Sequence, residues 1–228
     1  MAEITQHHAP ANEAGTMRFV RRFGSGLSII AFPIMLLVGF VTHPNIFSFA
    51  MITDAAEWAA EWRGNFMFHF GHLLVLFAVP PIIVASVRLM WLPKASGRWL
   101  AFWGGVLAVF GAFMLAVDKG ALTLVLSAFQ EIPEPEFQAS APAFQALLDR
   151  GGWLWITWGF VALPIGFALI MFGLWRAEII PRWQALCAII GLALLINPDI
   201  EIISSVGAAL MCAGLVPLGL RELFGRLG

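Results

Sequence analysis

The sequence predicts an all-α integral membrane protein, a single bundle of six transmembrane helices with a short interfacial helix on its outer face. Three observations predict this class. Of the 228 residues, 60% are hydrophobic and only 12% are charged, whereas about 25% are charged in soluble domains. The apolar residues are grouped in runs of membrane-crossing length. Most of the basic residues fall in the loops on one side of the membrane when successive loops are placed on alternate sides.

The amino-terminal segment comes first. Residues 1–17 are polar and lack an apolar core, so we expect a mobile cytoplasmic tail. Three arginines then precede an apolar run over 25–42. A basic stretch followed by an apolar one is also typical of a secretory signal, but no small-residue cleavage site follows this run. We therefore expect residues 18–228 to form one transmembrane domain, with 25–42 as its first span.

Between the first two spans, acids and tryptophans recur at a spacing of four residues, as Glu57 with Glu61 and Trp58 with Trp62. Asp54 stands three residues before Glu57, which is typical of a helix N-cap with its return partner. This pattern predicts a short helix from Asp54 to Trp62 that lies in the outer membrane interface. Its tryptophans are expected at the level of the lipid headgroups.

Five more apolar runs complete the bundle. A hydrocarbon layer ~30 Å thick needs about 20 helical residues to cross it. One of them carries Gly104, Ala108, Ala112 and Ala116, a stripe of small residues that allows helices to approach closely within the chain or between copies of it. The predicted spans are 65–87, 99–117, 153–175, 183–196 and 201–220.

The segment after the third span is ambiguous. The apolar run from Gly120 to Phe129 is too short to cross the membrane alone. It either continues the third helix outward or enters the membrane and returns. The acidic, proline-broken stretch that follows, from Glu131 to Arg150, is expected to be a loop.

Charge sets the orientation, because basic residues collect in cytoplasmic loops. With six spans, ten of the thirteen Lys and Arg residues lie on the side of the amino terminus. This predicts that both termini are cytoplasmic and that the protein lies in the plasma (inner) membrane of a bacterial-type cell. The ten residues are Arg18, Arg21, Arg22, Arg88, Lys94, Arg98, Arg176, Arg182, Arg221 and Arg226.

The most informative stretch is 64–72, where an apolar span opens with His69 and His72, three residues apart. At that spacing both imidazoles lie on one face of a helix. Ionisable side chains are costly to bury within a membrane, so they are interpreted by default as functional. We expect Asp118 to provide a carboxylate beside this pair.

Other polar side chains reach the same outer end of the bundle in the predicted topology. Together with the two histidines they predict an outward-facing polar pocket. Two imidazoles and a carboxylate suit a divalent metal ion, with His69, His72 and Asp118 as its predicted ligands, and they equally suit proton transfer. The remaining pocket candidates are His43, Asn197, Asp199 and Glu201.

A structural interpretation of these residues stays open. Acids at loop ends are commonly solvated at headgroup level, a histidine near a span end can donate to a backbone carbonyl, and Asp118 beside Lys119 fits a neutralised pair.

The sequence is consistent with three functions. The pocket binds or transports a cation, a proton or a small polar ligand, as a transporter, sensor or accessory subunit. Alternatively the protein is a membrane-embedded metal-dependent enzyme, or a structural subunit of a larger complex.

Some cofactors and partners are disfavoured by the sequence. Haem needs histidines on two helices, and only the shallow His43 stands opposite the predicted pair. Nucleic acid is not expected, because no basic face is available to neutralise phosphates. The expected partners are membrane lipids, further copies of the chain or a larger membrane complex.

Overall fold

The computed structural model describes residues 11–44, 46–49, 53–150, 161–197 and 200–227. All regular secondary structure in these ranges is α-helical. Its elements, in chain order, are α1 (Ala11–Val41), α2 (Ala55–Trp62), α3 (Phe66–Phe77), α4 (Val79–Met90), α5 (Arg98–Gln130), α6 (Glu134–Arg150), α7 (Ala162–Arg176), α8 (Arg182–Leu194) and α9 (Glu201–Leu223).

Four stretches of described helix are long and apolar enough to cross a membrane: Gly15–Val41, Phe66–Met90, Arg98–Gln130 and Glu201–Leu223. The second of these is α3 followed directly by α4, joined at Ala78 before two prolines. Helices α7 and α8 are apolar but shorter. The predicted all-α, membrane-spanning class is therefore confirmed, whereas six spans and the orientation of the termini remain predictions.

The helices pack as neighbours in the order of the chain, and the last returns to the first. Helix α1 packs on α3 and α4, α4 on α5, α5 on α7, α7 on α8, α8 on α9, and α9 along α1. The centre is filled by buried apolar side chains. Among them, Phe32 of α1 meets Phe167 of α7, with 5.1 Å between ring centroids. This closed arrangement brings the first and last described helices together.

In three segments the observed conformation differs from the predicted one or decides between the predicted alternatives. Helix α1 begins by Ala11, so residues 11–17 are helical. Helix α5 runs unbroken to Gln130, so the ambiguous run from Gly120 to Phe129 continues the helix of the third predicted span and does not turn back. The expected loop up to Arg150 is wrong, because Glu134–Arg150 is helix α6. The physical reason is that Phe137 and Phe144 give this acidic segment an apolar face to bury.

The short helix α2 is confirmed, with the Asp54 carboxylate accepting hydrogen bonds from the backbone N–H groups of Ala56 and Glu57. The expectation that both tryptophans meet lipid headgroups is wrong for Trp62, which is fully buried. Its ring contacts Phe137 and Phe144 of α6. Helices α2 and α6 therefore form a small layer with its own aromatic core at one end of the bundle, called here the α2–α6 end.

The predicted small-residue stripe on α5 is a packing seam, and α7 of the same chain occupies it. Gly104, Ala108 and Ala112 are buried there. A Cβ atom added at Gly166 of α7 would overlap the backbone of Gly104 and Ala108. The absence of a side chain at Gly166 thus sets how closely α5 and α7 approach.

We expect Gly166→Ala to lower the thermal unfolding midpoint of the purified protein, because overpacking a tight contact costs about 1–3 kcal/mol. The matched control is Gly120→Ala on α5, where an added Cβ meets no atom within 4 Å. That variant should keep or raise the midpoint, since alanine is the better helix former. Equal midpoints for the two variants would contradict the role of the seam.

Candidate functional site

Three titratable side chains meet at the α2–α6 end, and we call them the His43 cluster: His43, His72 and Glu201. They come from the turn after α1, from α3 and from the first turn of α9. Nδ1 of His43 lies 3.3 Å from Oε1 of Glu201. The rings of His43 and His72 are 5.1 Å apart between centroids. Side-chain exposure is only 14% for His43 and 18% for Glu201.

The histidine rings are held against an aromatic wall. The buried Phe68 ring lies 4.6 Å from the His43 ring and 4.3 Å from the His72 ring, centroid to centroid. Nδ1 of His72 lies 3.0 Å from the carbonyl oxygen of Phe68. Because a carbonyl only accepts, this contact requires the hydrogen on Nδ1, and Nε2 of the neutral ring is then an acceptor.

The contact between His43 and Glu201 is close but not aligned as a hydrogen bond. Nδ1 of His43 is buried and has no hydrogen-bond partner among the described residues. Burial first, and the positive charge of Lys119 second, lower the pKa of His43 from 6.5 to about 4. The nearby carboxylate acts in the opposite direction, because it favours the charged ring. At neutral pH His43 is therefore uncharged.

Asn197 positions Glu201. Its amide nitrogen donates to the carbonyl of Leu194 and to the hydroxyl of Ser204, and its amide oxygen accepts from the backbone N–H of Ile200. With both ends of the amide used, Asn197 fixes the turn from α8 into α9, and α9 begins at Glu201. Among the predicted pocket residues Asn197 thus has a positioning role. Asp199 lies outside the described residues.

The two histidines of the predicted pair contact different backbone carbonyls. Nε2 of His69 lies 3.1 Å from the carbonyl oxygen of Trp62, so this ring turns toward α2. Asp118 pairs with its neighbour Lys119, at 3.3 Å. The carboxylate that the structure brings to a histidine is Glu201, not Asp118.

No metal site is formed by the residues that the structure describes. Within them, no three His, Cys, Asp or Glu side chains converge in a way that could hold a metal ion. This includes the three predicted ligands, His69, His72 and Asp118. The physical reason is that His69 and Asp118 are already occupied by a carbonyl and an ammonium group.

A second polar cluster, which we call the Arg88 cluster, lies at the opposite end of the bundle. Nε of Arg88 donates to Oε1 of Glu222 at 2.6 Å, and Nη2 donates to Oε2 at 3.0 Å. The hydroxyl of Ser25 also donates to Oε1, at 3.0 Å. Glu222 is almost fully buried. From its sequence Arg88 was expected on the side of the amino terminus, and Glu222, which follows Arg221 at the end of a long apolar run, was not singled out.

Acidification should destabilise the protein through His43. Its pKa is about 4 in the folded chain and about 6.5 in an unfolded one, so between these values the unfolded state binds more protons. Stability therefore falls as the pH falls through this window, by at most about 1.4 kcal/mol per pH unit. The thermal midpoint should drop from about pH 7 to about pH 5, and His43→Gln should reduce this drop.

The control for this measurement is His69→Gln, which removes a histidine outside the His43 cluster. It should keep the acid-induced drop in the midpoint. If His43→Gln kept the full drop and His69→Gln lost it, the assignment to His43 would be wrong.

No family of known proteins, no curated protein and no solved structure matches the chain. What stands is a helical membrane protein with two buried polar clusters. Both clusters connect the first and last described helices, because His43 follows α1 and Ser25 lies within it, while Glu201 and Glu222 both belong to α9. The chemistry available at the first cluster is that of two imidazoles and a carboxylate.

Proposed function

We propose that this chain is a six-span plasma-membrane protein that binds a proton at the His43 cluster and changes the packing of α1 against α9 in response. The observation that carries the proposal is the buried 3.3 Å approach of His43 to Glu201 without an aligned hydrogen bond. Such an arrangement has one change of charge available to it. A proton on His43 would convert the contact into an ion pair.

Ligand type favours a proton over a metal ion. One imidazole nitrogen of His72 is already used by the Phe68 carbonyl. The Lys119 ammonium is near enough to lower the pKa of His43, and it would repel a divalent cation in the same way. A proton requires only an acceptor and a stabilising partner, and Glu201 is that partner.

The charged groups around His43 come from every element that meets there. Helix α3 contributes His72 in the cluster and His69 turned toward α2. Helix α5 contributes Lys119 and Asp118, which pair with each other. Helix α9 contributes Glu201. Protonation would therefore replace a neutral ring held near a lysine by a cation attracted to Glu201, and would draw the end of α1 toward the start of α9.

Packing supports six spans. Helices α7 and α8 lie between α5 and α9 in the closed arrangement, and each packs on both of its neighbours as the four long stretches do. With six spans the two termini lie on one side, together with ten of the thirteen basic residues. This side is the cytoplasm by the distribution of charge.

We expect Glu201→Gln to lower the pKa of His43 further, because it removes the carboxylate that favours the charged ring. The measurement is a titration of the histidine rings by ¹⁵N NMR in detergent micelles. The matched control is Glu134→Gln, because Glu134 is an exposed acid of α6 whose partner is Arg63. If both variants titrate like the parent, the His43 cluster is not a proton site.

Proton flux measured in vesicles that contain the purified protein and a trapped pH indicator would decide the role of the site. Flux that depends on His43 and Glu201 identifies transport. Proton binding to His43 without flux identifies sensing. If neither proton binding nor flux is observed, the structural interpretation of the cluster is the one that stands.

A topology test is independent of the cluster. An enzymatic reporter that works only in the cytoplasm should be active when fused after Gly228, because the charge distribution predicts that this end is inside. The same reporter inserted between α5 and α6, at Pro133, should be inactive. Activity at Pro133 and none at Gly228 would reverse the proposed orientation.

A further inference from the structure

We propose that a groove at the opposite end of the bundle from the His43 cluster binds the headgroup of an anionic phospholipid. The groove has a volume of about 460 Å³ and lies where α7 ends, α8 begins and α9 ends. Its charged lining residues are Arg182, Arg221 and Glu178. This inference needs only that the chain spans a membrane, and it does not rest on proton binding at the other end.

Two guanidinium groups converge on the groove from different helices. Arg221 of α9 donates from Nη1 to the carbonyl oxygen of Ile179 at 2.9 Å, which fixes its side chain while other N–H groups remain on the guanidinium. Arg182 of α8 is exposed, and its guanidinium carbon lies 5.6 Å from the centroid of the Trp175 ring. Guanidinium groups match the oxygens of a phosphate in geometry as well as charge.

One acid opposes them. Glu178 is an exposed residue of the groove with a left-handed backbone conformation, φ +57°. Because the residue is exposed, its charge is open to screening by salt. Two cations against one solvated anion leave the groove net positive, so an anion is the ligand that its charge favours.

The surroundings favour a lipid over a soluble phosphate. An apolar face of α8 runs away from the groove along exposed Trp183, Leu186 and Ile190, at spacings of three and four residues that keep them on one side of the helix. Leu220 of α9, next to Arg221, is also exposed. A phosphate held in the groove would thus place acyl chains along an apolar surface, and Trp175 and Trp183 are of the type that lies at the membrane interface.

The test measures binding of phosphatidylglycerol and of phosphatidylcholine with the same acyl chains to the purified full-length protein, by native mass spectrometry from detergent. The parent protein should bind phosphatidylglycerol more tightly. Arg182→Gln should weaken that binding about fivefold, the effect of one basic residue near an anionic lipid. Glu178→Gln should tighten it, because the opposing charge is removed.

Arg98→Gln is the matched control. Arg98 is also exposed, also begins a helix, and its guanidinium carbon also lies 5.6 Å from a tryptophan ring centroid, that of Trp99. It does not line the groove, so its replacement should leave phosphatidylglycerol binding within about twofold of the parent. Arg221→Lys keeps a charge in the groove and should retain most of the binding, which separates loss of charge from loss of fold.

Three results would overturn the proposal. Arg182→Gln could bind phosphatidylglycerol as tightly as the parent, or Arg98→Gln could lose as much binding as Arg182→Gln. Inorganic phosphate alone could displace the lipid from the parent protein but not from Arg182→Gln, which would identify a soluble anion as the occupant.

Discussion

Backbone contact at glycines is the constraint on which this structure depends. Lipid gives apolar helices no hydrophobic reason to associate, so they must gain from close packing instead. Most pairs of neighbouring helices in the closed arrangement meet at a glycine whose added Cβ would collide with the facing helix. These contacts set the distances between the helices, and therefore the distances between the side chains that form the two polar clusters. The glycines that make them include Gly39 and Gly71 for α1 and α3, Gly166 for α5 and α7, Gly191 and Gly207 for α8 and α9, and Gly219 for α1 and α9.

Local patterns in the sequence predicted what depends on neighbouring residues. The N-cap at Asp54, the α5 stripe and the apolar helices were all found in this way. The pairing of His43 with Glu201 was not, because it depends on α9 packing along α1 at the far end of the chain. The contact of His69 was not predicted for a related reason: periodicity gives the face of a helix, whereas the Trp62 carbonyl that its ring contacts belongs to the neighbouring helix α2.

The two polar clusters differ in how completely they are satisfied. At one end, Glu222 receives two hydrogen bonds from Arg88 and one from Ser25, an arrangement that resists the removal of any member. At the other end, Nδ1 of His43 is buried beside a carboxylate without an aligned hydrogen bond. One end of the α1 and α9 pair is thus fixed, and the other retains a group whose charge can change.

The contact between α1 and α9 also has a consequence for biosynthesis. These helices are neighbours in space, but α1 is made before the other described helices and α9 is made after them. Until α9 leaves the ribosome and inserts, the face of α1 that packs on α9 is uncovered. Arg88 also has no Glu222 carboxylate to pair with. His43 cannot meet Glu201 before that moment. The candidate site therefore forms only after α9 has been made, and a nascent chain that stalls before α9 has no such site at all.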